Sequence, residues 1–302
     1  MSDSFDVSVI IPTYNEGEKV AQCVAALQAQ EFSGSFEVIV VDNGSTKNLP
    51  EVPSGDARFR MIREPTPGSY AARNSGLRIA RGQIIAFTDS DCLPDPRWLE
   101  AAVAHLSREA DAALLAGRID VFFADPESPT PVELFERRFA FKQKESVRQG
   151  WAVTANLIVR RAVFDGVGEF DTRTFSGGDS EFTKRAVAAG FALRYADEAI
   201  VRHPARSSLS ELSQMRRRHV GGFYRLSKSQ PEFAEMFSMS GVLKDFLYPA
   251  KGAVLLGADL LHGRVAFGEA IKVMMVLTHT RVYRGWLKLL YRFGLKRSYE
   301  RA

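Results

Sequence analysis

The sequence predicts an α/β protein built on a doubly wound, mostly parallel sheet and extended at its C-terminus by helices. Three observations predict it. VSVIIP (7–12), FEVIVV (36–41) and QIIAFT (83–88) are short, continuous, β-branched apolar runs, the pattern of strands buried on both faces. Helical periodicity fills the gaps between them, which is βαβ alternation. A 302-residue chain with 45% hydrophobic composition can bury one large core or a core plus an appendage. Strand-like runs stop near residue 210. The expected division is therefore a catalytic α/β domain over 1–210, with halves at about 1–95 and 96–210, and a helical, basic region over 211–302.

Residues 17–30 place Val20, Val24 and Leu27 at helical spacing. SYAARNSGLRIA (69–80) is a second helix that stops before Arg81-Gly82. ADPESPTP (124–131) is a loop, followed by a helix over 132–146. WAVTANLIVRR (151–161) reads as a strand, followed by a short helix and the turn GVGEFD (166–171). SGGDSEFTKRAVAAG (176–190) is a helix with a glycine stop, and FALRYADEAIVRH (191–203) is strand-like. No internal repeat or low-complexity tract interrupts the pattern.

The net charge of +4 is modest but uneven, because residues 281–302 hold seven Lys or Arg against one acid, Glu300. No nucleic-acid partner is expected. Two cysteines, Cys23 and Cys92, make neither a disulfide framework nor a zinc pattern, which points to a reducing compartment. MSDSFDVSVIIP lacks a basic segment followed by a long apolar one, so no secretory signal is expected. The expected location is cytoplasmic.

Ligands of such sheets bind beyond the carboxyl ends of the strands. The residues there are TYNEG (13–17), DNGST (42–46) and DSD (89–91). Each alone is ordinary turn chemistry; three together suit a crevice for a nucleotide and a metal. A dinucleotide-binding reading fails, because TYNEG stands where G-x-G-x-x-G is required. Asp89 and Asp91 would repel by about 3 kcal/mol at roughly 5 Å and an effective dielectric near 20. Two carboxylates at i and i+2 after a strand converge on one hard cation, Mn²⁺ or Mg²⁺, which turns that repulsion into attraction and neutralises a diphosphate leaving group.

These motifs, in order, carry a resemblance. VSVIIPTYNE, VIVVDNGST, ARNSGLRIARGQIIAFTDSD, GVGEFD and GGDSEFTKR are similar in sequence and spacing to glycosyltransferase family 2, over roughly residues 6–205. The resemblance implies a GT-A fold and a metal-dependent, inverting transferase that uses a nucleotide-diphosphate sugar, by default a uridine one. Position by position it implies that Pro12, Tyr14 and Glu16 line the nucleotide and that Asp42 bonds the base. It also implies that Arg73 lies near the nucleotide and diphosphate, Asp89 near ribose and metal, and that Asp91 is the principal metal ligand.

Inversion requires a base opposite the departing diphosphate. The family's base is the Asp of a Glu-Asp pair; here the pair is Gly178-Asp179, so Asp179 is the expected base and Glu181 an acceptor-side residue. Ser176-Gly-Gly-Asp179 also fits a capping box with the acid at the third helical position, and the two roles are compatible. His203 ends a strand-like run after the base, where some GT-A enzymes place a last metal ligand. The acceptor is expected to be lipid-linked or a growing glycan. Two rivals share the architecture: a nucleotidyltransferase on sugar phosphates, whose first loop should be glycine-rich and basic, and a catalytically silent sugar-nucleotide-binding module.

QMRRRH (214–219) imitates the Q-x-x-R-W signature of processive synthases, with Arg218 in place of the tryptophan. It reads either as a solvated basic helix face or as a clamp on diphosphate or anionic lipid. The apolar runs 252–263 and 265–279 are broken by Asp259, Glu269 and Lys272 and fall short of a membrane span. Arg281, Arg284, Lys288, Arg292 and Lys296 recur every three or four residues among apolar ones. That is a basic amphipathic helix, so a membrane surface is expected to meet residues 252–302.

Overall fold

The computed structural model describes residues 5–296. The outermost parts of the 1–210 and 211–302 divisions, Glu300 and the last basic residues lie outside the described residues. The chain forms two compact units, one of Met1–Asp120, Phe141–Thr172 and Gly178–His203, the other of Val121–Ala140, Arg173–Gly177 and Pro204–Ala302.

The first unit holds the sheet, with strands β1 (Val7–Thr13), β2 (Phe36–Asp42), β3 (Phe59–Arg63), β4 (Ile84–Thr88), β5 (Leu93–Pro94), β6 (Ala112–Phe122), β7 (Asn156–Arg160) and β8 (Ala192–Pro204). Their order is β3-β2-β1-β4-β7-β6-β8-β5. β3, β2, β1 and β4 run parallel; β7 then pairs antiparallel with both β4 and β6, as does β5 with β8. Every residue of β1 and β2 is buried, which is why these strands read as unbroken apolar runs. β3, β5 and β6 escaped the sequence reading, since β3 is a five-residue strand with alternating burial and β5 has two residues.

Helices α1 (Gly17–Gln28), α2 (Ser69–Ile79) and α3 (Trp98–Arg108) cover the sheet. The helix expected over 132–146 is two helices, α4 (Pro131–Phe139) and α5 (Gln143–Arg148). Phe141 sits between them at φ +48°, a left-handed conformation that no continuous helix contains. α6 (Arg161–Val167) and α7 (Gly178–Ala188) complete the first unit.

One side chain ties the sheet together beside the D-x-D strand. Asn156, fully buried, lies in register with Thr88 across β4 and β7. Its Oδ1 accepts from the Trp98 indole N–H at 2.9 Å, and its Nδ2 donates to the carbonyls of Arg118 and Ala199 at 2.8 and 2.9 Å. Gly117 lies so close that an added Cβ would sit 2.3 Å from Asn156 Nδ2.

The second unit is helical, with α4, α8 (Leu209–Leu226), α9 (Pro231–Ala234), α10 (Met239–Leu261) and α11 (Phe267–Arg292), and a single 3₁₀ turn at Glu235–Phe237. Capping boxes start α4 (Thr130 with Glu133) and α8 (Ser208 with Glu211). The basic stripe expected to face outward on α11 is turned inward instead. Arg281, Arg284 and Lys288 converge on Asp245 of α10 at 3.3, 3.0 and 2.6 Å, and Asp245 and Lys288 are buried. Asp259, which interrupts an apolar run in the sequence, is likewise buried and bound to Arg138 at 2.7 Å.

The outward faces are apolar. On α11 Phe267, Ile271, Met275, Val282, Trp286 and, at its end, Phe293 are exposed, and at about 100° per residue they fall within one stripe about 100° wide. On α10 Leu243, Leu247, Val254 and Leu261 form a similar stripe. No helix among the described residues is long and apolar enough to cross a membrane.

Asn156→Leu should lower the unfolding free energy by about 3 kcal/mol in urea titration, because it orphans the Trp98 indole and two carbonyls while keeping the side-chain volume.

Candidate active site

The three loops beyond the strands knit together before any ligand is considered. Asn15, at φ +58°, accepts at Oδ1 from the N–H groups of Thr46 and Lys47, while its own N–H donates to Ser45 Oγ at 2.8 Å. Asp42 Oδ1 accepts from the Ser45 N–H at 2.9 Å. Asn43 Nδ2 donates to the carbonyls of Glu64 and Thr66, and its Oδ1 receives the Gly68 N–H at 2.7 Å. Asn15 and Asn43 were missed as organisers of the site, although Asn after a strand is the sequence signal for such side-chain-to-backbone turns. Pro12 is buried in register with Val41, Tyr14 is half-buried, and Glu16 receives Ser90 Oγ at 2.6 Å and Lys19 Nζ at 2.8 Å.

The D-x-D carboxylates are partly compensated by the chain itself. Arg73, whose side chain is 4% exposed, donates from one terminal nitrogen to Asp89 Oδ1 at 2.5 Å. Its Nε is buried with no hydrogen-bond partner. His203 Nε2 lies 3.6 Å from Asp91 Oδ1, and the Phe141 ring packs on the His203 ring at 4.4 Å between centroids. The break between α4 and α5 thus supplies the wall that holds this imidazole.

Ligand-type atoms of Asp89, Asp91, Cys92 and His203 lie within 4.8 Å of one another. Burial pushes the Asp91 carboxyl above the ordinary range; His203 opposes this, and the charges of Asp89 and Glu16 reinforce it. Burial, together with Asp91 and Asp89, also drives the Cys92 thiol well up, so it stays protonated. What remains is an oxygen–oxygen–nitrogen donor set with unbalanced negative charge. That set suits a hard or borderline divalent cation.

Asp179 lies in the first turn of α7, where its Oδ1 accepts from the Ser180 N–H at 2.9 Å and from the Tyr70 hydroxyl at 3.1 Å. Burial pushes its carboxyl above the ordinary range, against the pull of the Ser180 N–H, Arg73 and Tyr70. Tyr70 was missed by the sequence reading. The departure from the family's Glu-Asp pair now has a physical reason: a Cβ on Gly178 would sit 2.8 Å from the Tyr70 ring. The Tyr70 ring also lies under the Arg73 guanidinium, 5.6 Å from its carbon. A continuous chain of contacts therefore runs from Asp89 through Arg73 and Tyr70 to Asp179. Glu181, expected on the acceptor side, is buried, and its two carboxylate oxygens receive Arg185 at 2.8 and 3.1 Å. Arg185 also donates to the Glu169 carbonyl, which ties α7 to the GVGEFD turn.

Comparison with known proteins decides the family. The profile of glycosyl transferase family 2 matches residues 8–167. The chain belongs to that family of glycosyltransferases. Its relatives include glycosyltransferase AglE of Haloferax volcanii, 40% identical over 66% of this chain and 67% of that protein. The pre-mycofactocin glycosyltransferase of Mycobacterium tuberculosis is 28% identical over 92% of this chain, which spans only 57% of the mycobacterial protein. Among solved structures, a mannosyltransferase from Pyrobaculum calidifontis in complex with GDP-Man and Mn²⁺ superposes with a TM-score of 0.63. It covers 98% of this chain and 89% of that one at 18% identity, and so establishes the GT-A fold.

Because the raised value belongs to the folded state, the stability associated with neutral Asp179 is present below the ordinary aspartate pKa and is lost as pH rises through the raised one. Asp179→Asn should therefore melt higher than the wild type at pH 7, and the gap should close as the pH is lowered toward 4.

Proposed function

We propose that this protein transfers a sugar, with inversion, from a nucleotide-diphosphate donor to a lipid-linked or growing glycan acceptor. Asp179 is the general base, and residues 1–210 supply the catalytic machinery. The observation that carries the reading is the Asp89–Arg73–Tyr70–Asp179 chain, which links a half-buried acid of raised basicity to the D-x-D pair.

Asp89, Asp91 and His203 would hold Mn²⁺ or Mg²⁺. Such an ion supplies electrostatic neutralisation of the diphosphate as it leaves. The chain's own residues do the rest. Asp42 and the loop of Pro12, Tyr14 and Glu16 bind the nucleoside, held in place by Asn15 and Asn43. Arg73 holds the Asp89 carboxylate in place, and its unused Nε is a ready donor to a phosphate oxygen. Asp179 takes the acceptor's hydroxyl proton, at a basicity raised by burial and trimmed by the Tyr70 hydrogen bond. Glu181 acts through Arg185 to fix the helix that presents the base, rather than by touching the acceptor. The nucleotide is open between uridine, the family default, and guanosine, which the Pyrobaculum enzyme's complex contains.

We assign the exposed stripes of α10 and α11 to a membrane surface, at the cytoplasmic face if the acceptor is lipid-linked. Apolar side chains exposed along two whole helices favour insertion at a bilayer interface, while their inner faces are occupied by packing and by the Asp245 cluster.

A thermal-shift panel of UDP-, GDP- and dTDP-sugars with and without Mn²⁺ should show donor stabilisation that needs metal and vanishes in Asp91→Ala. Silence toward every donor would count against transfer. Anomeric NMR of the product should show inversion. Tyr70→Phe removes a hydrogen bond that favours the ionised base, so the acid limb of the kcat profile should move to higher pH. An unmoved limb would take Asp179 out of the base role. Vesicle binding should blue-shift Trp286 emission, and the pair Leu247→Glu and Met275→Glu should abolish the shift without altering turnover of a water-soluble acceptor.

A further inference from the structure

The second unit contains a cluster of cations that the transferase site does not use. A narrow cleft is lined by Arg216, His219, Val220 and Phe223 of α8, Met236 and Phe237 of the 3₁₀ turn, and Arg284 and Lys288 of α11. Two acids among the described residues act on this region, Asp245 and Glu136, and both are engaged. Asp245 serves Arg281, Arg284 and Lys288 at once, and Glu136 of α4 receives Arg206 at both its guanidinium and its backbone N–H. Arg216 is left over. Its Nε is buried with no hydrogen-bond partner, and the neighbouring His219 brings no charge of its own while neutral.

Arg206, Arg216, Arg281, Arg284 and Lys288 thus gather around Asp245 and Glu136, and Arg218 adds a further positive charge beside His219. The surplus is held in a poorly hydrated place. Burial, together with Arg284 and Arg281, pushes the Arg216 guanidinium down to about 9, while burial and the surrounding arginines keep the His219 ring neutral. A folded protein keeps a half-buried guanidinium whose Nε has no partner only at a cost, and a bound anion lowers that cost. A guanidinium fork, an ammonium and an imidazole around one cleft match the several acceptor oxygens of a phosphate.

We propose that the helical unit carries an oxyanion site, formed by Arg216, His219, Arg284 and Lys288, that takes a phosphate monoester or diphosphate. The site is separate from the Q-x-x-R spacing it overlaps in sequence, since Arg217 donates to the Tyr283 hydroxyl at 3.1 Å. The phosphate belongs either to a lipid headgroup or to a soluble compound, and the experiment separates the two.

The test is thermal unfolding of the full chain in EDTA at constant ionic strength, with pyrophosphate against chloride. At about 100 times its Kd, pyrophosphate should raise the Tm by roughly 5 °C in the wild type and equally in Asp91→Ala, and should leave Arg216→Met unmoved. No shift up to about 10 mM, or a shift that Arg216→Met retains, overturns the proposal. A shift lost in Asp91→Ala assigns the anion to the D-x-D loops and also overturns it. If Arg216→Met does not fold, the wild type reports directly. With ¹³C-histidine, the His219 ring signal among the five histidines, assigned through His219→Gln, should move with pyrophosphate; a static signal overturns the site. Flotation with phosphatidylcholine vesicles that contain phosphatidic acid then identifies the source. Capture that pyrophosphate competes away and Arg216→Met loses assigns a lipid headgroup; pyrophosphate binding without capture assigns a soluble phosphate.

Discussion

The first unit is organised around one electrostatic constraint, the gathering of Asp89, Asp91 and Asp179 at the carboxyl edge of a sheet whose strands are apolar throughout. Like charges in a place of low dielectric repel strongly, and the chain offsets this with a single nearly buried guanidinium, Arg73, and an imidazole, His203. The compensation is incomplete: burial raises the Asp91 carboxyl, and the charges of Asp89 and Glu16 reinforce it against His203. That incompleteness is what a cation-binding site requires, because a site already neutral would have nothing to gain from an ion. Arg73 also orders its surroundings: its guanidinium covers the Tyr70 ring, and Tyr70 fixes the carboxylate of Asp179.

The helical unit shows the opposite imbalance. On α11 three cations share one buried acid, Asp245, and the helix turns its apolar stripe outward. In a water-exposed amphipathic helix the arrangement is reversed. The inward basic face therefore reflects pairing across the α10–α11 hairpin, where ion pairs shielded from water are stronger than those at a surface.

Much of the first unit was legible because its signals are local. A strand buried on both faces reads as a continuous apolar run, and loops that end such strands announce themselves by Asp, Asn and Gly. The loops that hold the D-x-D pair and Asp42 stand out this way, whereas Arg73 and Asp179, which lie in helices, were singled out only through the resemblance to the family. β6 was not, since its residues AALLAGRIDVF lose their burial along the second half and blur the pattern. The continuous helix over 132–146 failed at Phe141, an aromatic residue whose left-handed backbone no propensity scale would suggest. Its ring packs on His203, some sixty residues later in the chain.

By itself the sequence determined the α/β class, the family, the three acidic loops and the residues at the ends of the strands, because all of these are short-range patterns or ordered motifs. Only the tertiary structure decided which partner each charge meets. Tyr70 and Asp179 are 109 residues apart, and Gly178 proves to be the space the Tyr70 ring needs. Glu181 is turned onto Arg185, and Arg281, Arg284 and Lys288 face Asp245 rather than solvent. The physical reason is common to all of them. A charge's energy depends on the dielectric and on the nearest opposite charge, and both are properties of packing that spacing along a chain does not contain.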